Sequence, residues 1–136
     1  MTTDRPAAGI LDTSVFIANE SGRQPEASLI PEEVATTVVT LAELNAGVLA
    51  AQTSEIRARR LRTLDAVADM TALPADEDAA QLWALLRVHL AEAGRRVRVN
   101  DLWIAAIAAA KKLPVVTQDA DFDALEGVAG LAIIHV

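Results

Sequence analysis

The sequence contains no cysteine, which excludes a disulfide framework and any thiolate metal site. A bound metal would therefore need oxygen ligands or the two histidines, His89 and His135, and oxygen ligands select Mg²⁺ or Mn²⁺. No apolar run approaches the ~18 residues of a membrane span. The polar stretch from Met1 to Ala8 lacks the basic flank and apolar core of a signal peptide. A cytoplasmic chain without a membrane segment is expected. No glycine-rich phosphate loop is present, and Ser14 has no histidine suited to a nucleophilic pair, since His89 falls mid-helix and His135 at the C-terminal end. Both histidines are expected to be structural. A surplus of basic charge is lacking too: the net charge of -7 opposes simple electrostatic capture of nucleic acid. That objection weakens if the acids are gathered at a metal site, where they count towards net charge yet present a cation to a substrate.

What is present suits one compact domain spanning residues 1–136: 52% of the residues are hydrophobic, ample for one continuous core. Arginine far outnumbers lysine and clusters as Arg57, Arg59, Arg60 and Arg62, and again as Arg95, Arg96 and Arg98. Both groups read as solvated helix surface or helix C-terminus, where cations suit the dipole, in preference to an RNA-contacting role.

Apolar Ala7 to Leu11 ends abruptly in Asp12-Thr13-Ser14, a strand followed by a capped helix. After a loop at Ser21-Gly22 and Pro25, the β-branched run Val34 to Val39 predicts a second strand, and Leu41 to Ala51 a helix beginning at Thr40. Ser54 to Asp69 carries Leu61, Leu64 and Ala68 on one helical face, and Met70 to Leu73 is a short strand ended by Pro74. Asp76 to Ala93 places Leu82, Leu86 and Leu90 in an apolar stripe stopped by Gly94. Asn100 and Asp101 open a nearly all-apolar helix through Lys112, which predicts burial on more than one side. Leu113 to Thr117 and Leu131 to Val136 read as the last strands, the latter after turns at Gly127 and Gly130. Trp83 and Trp103 lie in apolar helices and are expected to pack in the core. Strands alternating with helices predict an α/β domain with a parallel sheet, whose ligands gather beyond the carboxyl ends of the strands.

Four acids fall at that edge. Asp12 follows the first strand; an Asx turn or helix cap explains it structurally, but Thr13 or Ser14 would serve as the cap and leave Asp12 free. Glu43 matches the end of a capping box, Thr40-Leu41-Ala42-Glu43, while also pointing towards the crevice of Asp12. Asp101 stands in the first turn of the apolar helix, where an acid complements the dipole. Asp119, Asp121 and Asp123 follow the strand ending at Thr117, and their alternation suggests an EF-hand loop. Ala124 and Gly130 occupy the positions of its glycine and bidentate glutamate, so that reading fails. Asp123 is expected at the surface or in a cap. Each acid has a local explanation, but their convergence on one edge would be costly without a cation. A cation held there suits phosphodiester hydrolysis, with water made nucleophilic and the displaced oxygens stabilised. Ser14, Asn100 and Thr117 are candidates to support the acids or position substrate, with Arg98 a further one.

In its motifs the chain resembles the PIN-domain family and, within it, the VapC-like toxins of bacterial toxin-antitoxin pairs. The resemblance rests on Ile10-Leu11-Asp12-Thr13-Ser14-Val15, Thr40-Leu41-Ala42-Glu43-Leu44, Asn100-Asp101-Leu102-Trp103-Ile104-Ala105 and Val116-Thr117-Gln118-Asp119-Ala120-Asp121-Phe122, which in order cover nearly the whole chain. It implies a three-layer α/β/α domain with a parallel sheet of four or five strands. It further implies a Mg²⁺- or Mn²⁺-dependent endoribonuclease site of Asp12, Glu43, Asp101 and Asp119, with Asp121 similar to a fifth acid found in some members. A homodimer and a VapB-like antitoxin that occludes the site belong to the same implication. The rivals are a non-catalytic RNA- or protein-binding module and a solitary RNA-processing nuclease. A phosphatase would want a second aspartate where Ser14 stands.

Overall fold

The computed structural model describes residues 6–136. The first five residues of the polar N-terminal stretch lie outside the described residues. Five strands, β1 (Ala8–Leu11), β2 (Glu33–Thr37), β3 (Ala72–Leu73), β4 (Val115–Thr117) and β5 (Ile133–His135), form a parallel sheet in the order β3-β2-β1-β4-β5. Five helices connect them: α1 (Thr13–Glu20), α2 (Val38–Leu49), α3 (Ser54–Val67), α4 (Glu77–Ala93) and α5 (Val99–Lys111). From β1 the chain builds outwards through β2 to β3, then crosses back and builds the other way from β4 to β5. The direction reverses between β1 and β4, and such a switch point opens a crevice beyond the strand ends.

Register sorts the core into two faces. Ile10 pairs with Val115, and Val115 with Ile133; one residue on, Leu11 pairs with Val116, and Val116 with Ile134. Alternate side chains leave opposite faces of a strand. Ile10, Val115 and Ile133 pack with Leu86 and Leu90 of α4 and with Ile104 and Ile107 of α5, whereas Leu11 and Val116 pack with Val15 and Phe16 of α1. The result is the expected α/β/α arrangement with five strands. Strands covered on both faces read as continuous apolar runs, which is why β1 and β4 do. Gly9 is required by close approach: a Cβ there would lie 2.9 Å from Val116 Cγ2 and 3.0 Å from Pro31 Cγ.

The helices stop and start for local reasons. Gly94 takes the left-handed conformation (φ 65°) that ends α4, and Asp76 caps its start by accepting from Ala79 N at 3.0 Å. In α5 the run from Ile104 to Ala108 is wholly buried, its alanines allowing close packing between α4 and the sheet. Trp83 and Trp103 stack on each other at 5.4 Å against this core, as packing residues do. His89 is exposed on α4, and His135 Nε2 lies 2.7 Å from Asp123 Oδ1, so neither histidine meets the four acids. Arg57 and Arg60 donate to the carbonyls of Ala51 and Gly47, satisfying the C-terminal end of α2 rather than of their own helix. No helix among the described residues is long and apolar enough to cross a membrane.

The last three strands are shorter than the sequence reading has them, and one further boundary difference bears on the site. β2 ends at Thr37, and Val38 and Val39 begin α2 despite their β-branched side chains. Thr37, not Thr40, is the cap, its hydroxyl accepting from Thr40 N at 3.1 Å. The capping box ending at Glu43 therefore does not exist, and Glu43 lies in the second turn of α2, free of any capping task.

Candidate active site

Parallel strands bring their carboxyl ends to one edge, so the residues after β1 and β4 are neighbours across the switch point. Asp12 follows β1 and is 1% exposed. It occupies the cap position of α1 without a side-chain capping bond, and neither Thr13 nor Ser14 takes that task. Ser14 Oγ instead donates to Asp12 Oδ1 at 2.7 Å and accepts from Gln118 N at 2.9 Å. The Thr117 hydroxyl, 3.1 Å from Ser14 Oγ, accepts from Asp119 N at 2.8 Å and lies close enough to the Asp12 carboxyl to pull it down. Two hydroxyls thus tie the loop after β4 to the acid after β1. Burial pushes the Asp12 carboxyl up to about 6, against the pull of these donors, and the charge of Asp101 adds to the rise.

Glu43 is held from α1. The Thr13 hydroxyl donates to Glu43 Oε1 at 2.6 Å and lies 3.1 Å from Thr40 Oγ1, in a buried row of threonines that includes Thr37. Thr13 is the positioning group that the sequence reading misses, having entered it as an alternative cap.

Asp101 is the hub. It is the third residue of α5, and it is buried, with burial pushing its carboxyl up to about 6. Asp119, Glu43 and Asp121 raise it further, while Arg98 opposes them. With Asp12 included, Asp101 feels every one of the other four acids. Carboxylate oxygens of Asp101, Asp119 and Asp121 lie within 4.8 Å of one another. Asp119 also caps the 3₁₀ segment Ala120–Leu125 by accepting from Asp121 N at 2.9 Å, a turn that folds both acids towards α5. Arg98 reaches across all three, its Nη2 3.7 Å from Asp119 Oδ2 and 3.7 Å from Asp121 Oδ2, and its Nε 3.9 Å from Asp101 Oδ2. The guanidinium is 77% exposed, a loose counter-charge rather than a buried pair. Asn100 is exposed, and among the described residues no hydrogen bond joins it to the acids.

These residues fit a divalent cation. Asp101 Oδ2 is buried with no hydrogen-bond donor among the described residues, an arrangement that leaves a carboxylate oxygen waiting for a partner. The donors are all oxygens, the set that hard cations prefer. Ser14→Ala tests the support: it removes a donor to Asp12 and orphans Gln118 N. We expect divalent-cation affinity to fall by about 10- to 100-fold, read by calorimetric titration, as when outer-sphere partners of a metal site are lost. An unchanged affinity would mean that Asp12 takes no part in holding the cation.

Comparison with known proteins identifies the family. Residues 9–128 match the PIN domain family. Over 131 residues the chain is 70% identical to Ribonuclease VapC5 of Mycobacterium tuberculosis, spanning 96% of this chain and 97% of that protein. To Ribonuclease VapC4 of the same organism it is 41% identical over 124 residues, covering 91% and 95% respectively. Among solved structures, a member of the VapBC family of toxin-antitoxin systems, VapBC-5 from Mycobacterium tuberculosis, superposes with a TM-score of 0.91 at 66% identity, covering 96% of this chain and all of that one. With its doubly wound sheet and carboxylate crevice, the chain belongs to the PIN-domain family, on its VapC branch.

Proposed function

We propose that this chain is a Mg²⁺- or Mn²⁺-dependent endoribonuclease, the toxin of a VapBC-like pair. The observation that carries the reading is the Asp101-centred carboxylate cluster at the β1/β4 switch point, in a chain 70% identical to a ribonuclease over nearly its full length. Asp101, Asp119 and Asp121 would hold the cation with Asp12, and Glu43 would complete the set from α2. When bound, the cation supplies Lewis acidity towards water and the phosphodiester oxygens. The chain's own residues supply placement: Ser14 and Thr117 orient Asp12, Thr13 orients Glu43, and the 3₁₀ turn presents Asp119 and Asp121 together. Arg98, displaced from the acids once a cation balances them, stands ready for a substrate phosphate.

The same reading gives the protein a VapB-like antitoxin, supported by the VapBC-5 likeness, together with an RNA substrate, a homodimeric state and a cytoplasmic setting, with residues 1–136 acting as a single PIN-like domain. The test is incubation of the chain, freed of any partner, with total RNA under Mg²⁺, Mn²⁺ or EDTA, beside Asp12→Asn. Cleavage that needs the cation and disappears in the variant is expected. Equal cleavage by the variant would remove the carboxylate mechanism, and failure to cut any RNA would favour a binding module.

Activity should also depend on pH. Asp12 and Asp101 titrate near 6 without a cation, and a carboxylate must lose its proton to bind one. At limiting Mn²⁺ the cleavage rate is therefore expected to climb between about pH 5 and 7. The apparent midpoint should move to lower pH as Mn²⁺ is raised. A rate that is flat over that range at limiting cation would show that neither acid is a ligand.

A further inference from the structure

A second concave site lies on the other side of the segment that carries Arg98. Between the C-terminal end of α4 and the start of α5 is a cavity of about 330 Å³ whose walls include Trp83, Arg87, Arg95, Arg96, Val97 and Val99. Val97 and Val99 line it, while Arg98 between them turns to the carboxylates, so one stretch of backbone is shared by the cavity and the acidic crevice. Gly94 creates the site: its left-handed turn stops α4 and brings the Arg95-Arg96 pair back over Arg87, two turns earlier on the helix.

The charge of this cavity is out of character for the molecule. The chain carries -7 overall, yet three exposed guanidinium groups line one small volume, and none of them meets a carboxylate or a hydrogen-bond acceptor among the described residues. Elsewhere Arg57 and Arg60 close α2 and Arg98 spans the acids, while Arg59 and Arg62, likewise without a partner among the described residues, share their cavities with Glu20. Cations left unsatisfied around a concave surface favour an anion. The remaining wall is apolar and aromatic, and Trp83 carries a buried indole Nε1 with no acceptor among the described residues. Guanidinium groups beside an aromatic side chain are the composition that holds single-stranded nucleic acid, by phosphate contact and by stacking that tolerates any base.

We propose that this cavity is a subsite for an RNA nucleotide flanking the cleaved bond, with Arg95 and Arg96 meeting its phosphate, Arg87 adding charge behind them, and the Trp83 wall receiving the base. This rests on the ribonuclease reading above and extends it by assigning the strand a direction: away from the carboxylates over Arg98 and into the α4–α5 corner. An acidic segment of a protein partner would suit three arginines as well, but only a strand cut at the carboxylates must also pass the shared Arg98 wall.

The experiment is fluorescence anisotropy of a labelled single-stranded RNA oligonucleotide in EDTA, which reads binding without cleavage, from low to moderate salt. Arg95→Gln/Arg96→Gln is expected to weaken binding about tenfold or more, and to reduce the slope of log affinity against log salt by about 0.7, one phosphate's worth for a single strand. Arg95→Lys/Arg96→Lys should restore most of the slope, and Lys112→Gln, beyond the far end of α5, should bind as the parent does. If the parent cleaves RNA with Mn²⁺ but the double glutamine variant binds with unchanged affinity and slope, the subsite is overturned and the ribonuclease stands. Unchanged RNA binding together with lost capture of the antitoxin overturns it equally, as does parental binding too weak to measure in EDTA. A parent that neither binds nor cleaves RNA overturns both readings.

Discussion

Asp101→Asn is expected to lower cation-dependent RNA cleavage by about three orders of magnitude, the rate equivalent of the several kcal/mol of charge stabilisation that a catalytic cation supplies. The same substitution is expected to stabilise the cation-free protein at pH 7.5. Asp101 feels the charge of all four other acids, and its buried Oδ2 has no donor among the described residues, so its charge is poorly compensated. Its folded carboxyl is raised from 3.8 to about 6, which means that the native state binds more protons than the unfolded chain between those values. Stability then falls as pH rises through that window, and the penalty persists above it. A neutral asparagine escapes that penalty, which is worth about 1–2 kcal/mol after partial screening by Arg98, or about 3–8 °C in thermal midpoint. Thermal unfolding in EDTA at pH 4 and at pH 7.5 reads it, with the variant's advantage large at the higher pH and small at the lower. Saturating Mn²⁺ should reverse the order, since only the parent binds the cation tightly. A variant that still cleaves would remove Asp101 from the site, whereas one that is inactive yet no more stable in EDTA would show that burial of the charge is already compensated.

Asp101 was legible in the sequence because its neighbours are. An acid directly before Leu102, Trp103 and Ile104 has to lie where a buried helix begins, and the only uncertainty was what it faced. Asp12 and Asp119 were legible for a related reason: each closes a continuous apolar run, and parallel strands covered on both faces produce such runs. Glu43 falls in the expected helix, and of the two roles its position offers in the sequence, the structure removes the capping one. Val38 and Val39 extend the β-branched stretch, and strand propensity yields to packing, so the sequence reading carries the strand two residues and the cap three residues past Thr37. What no local pattern carries is contact across the fold. The Thr13 bond to Glu43 spans 30 positions and the Ser14–Thr117 bond 103; the first depends on β1 and β2 lying side by side and the second on β1 and β4. Arg98 belongs to the same class: its cluster reads as surface charge with Arg98 a further candidate beside the acids, and its reach to Asp119 and Asp121 exists only because the segment after β4 folds back over the start of α5.

That fold-back gives Phe122 more weight than its sequence position suggests. Phe122→Ala is expected to cost about 3–5 kcal/mol, a large share of the ~5–15 kcal/mol that holds a typical domain together. The ring is fully buried in the main core, packed with residues of α4 and α5, and it lies within the 3₁₀ segment that follows Asp119. Asp121 is its near neighbour, so the ring is the anchor that keeps a segment of repelling acids against a third acid on α5. Without it, burial no longer opposes the repulsion among Asp119, Asp121 and Asp101, and the segment is free to swing outwards. Urea unfolding measures the first effect and calorimetric Mn²⁺ titration the second. Phe122→Leu separates them from any direct role of the ring: it keeps most of the apolar volume, so it should recover most of the stability and, with it, cation affinity. If Phe122→Ala lost stability but bound Mn²⁺ as tightly as the parent, the segment would be held by the Asp119 cap and the Thr117 hydroxyl alone, and the core would have no part in shaping the site.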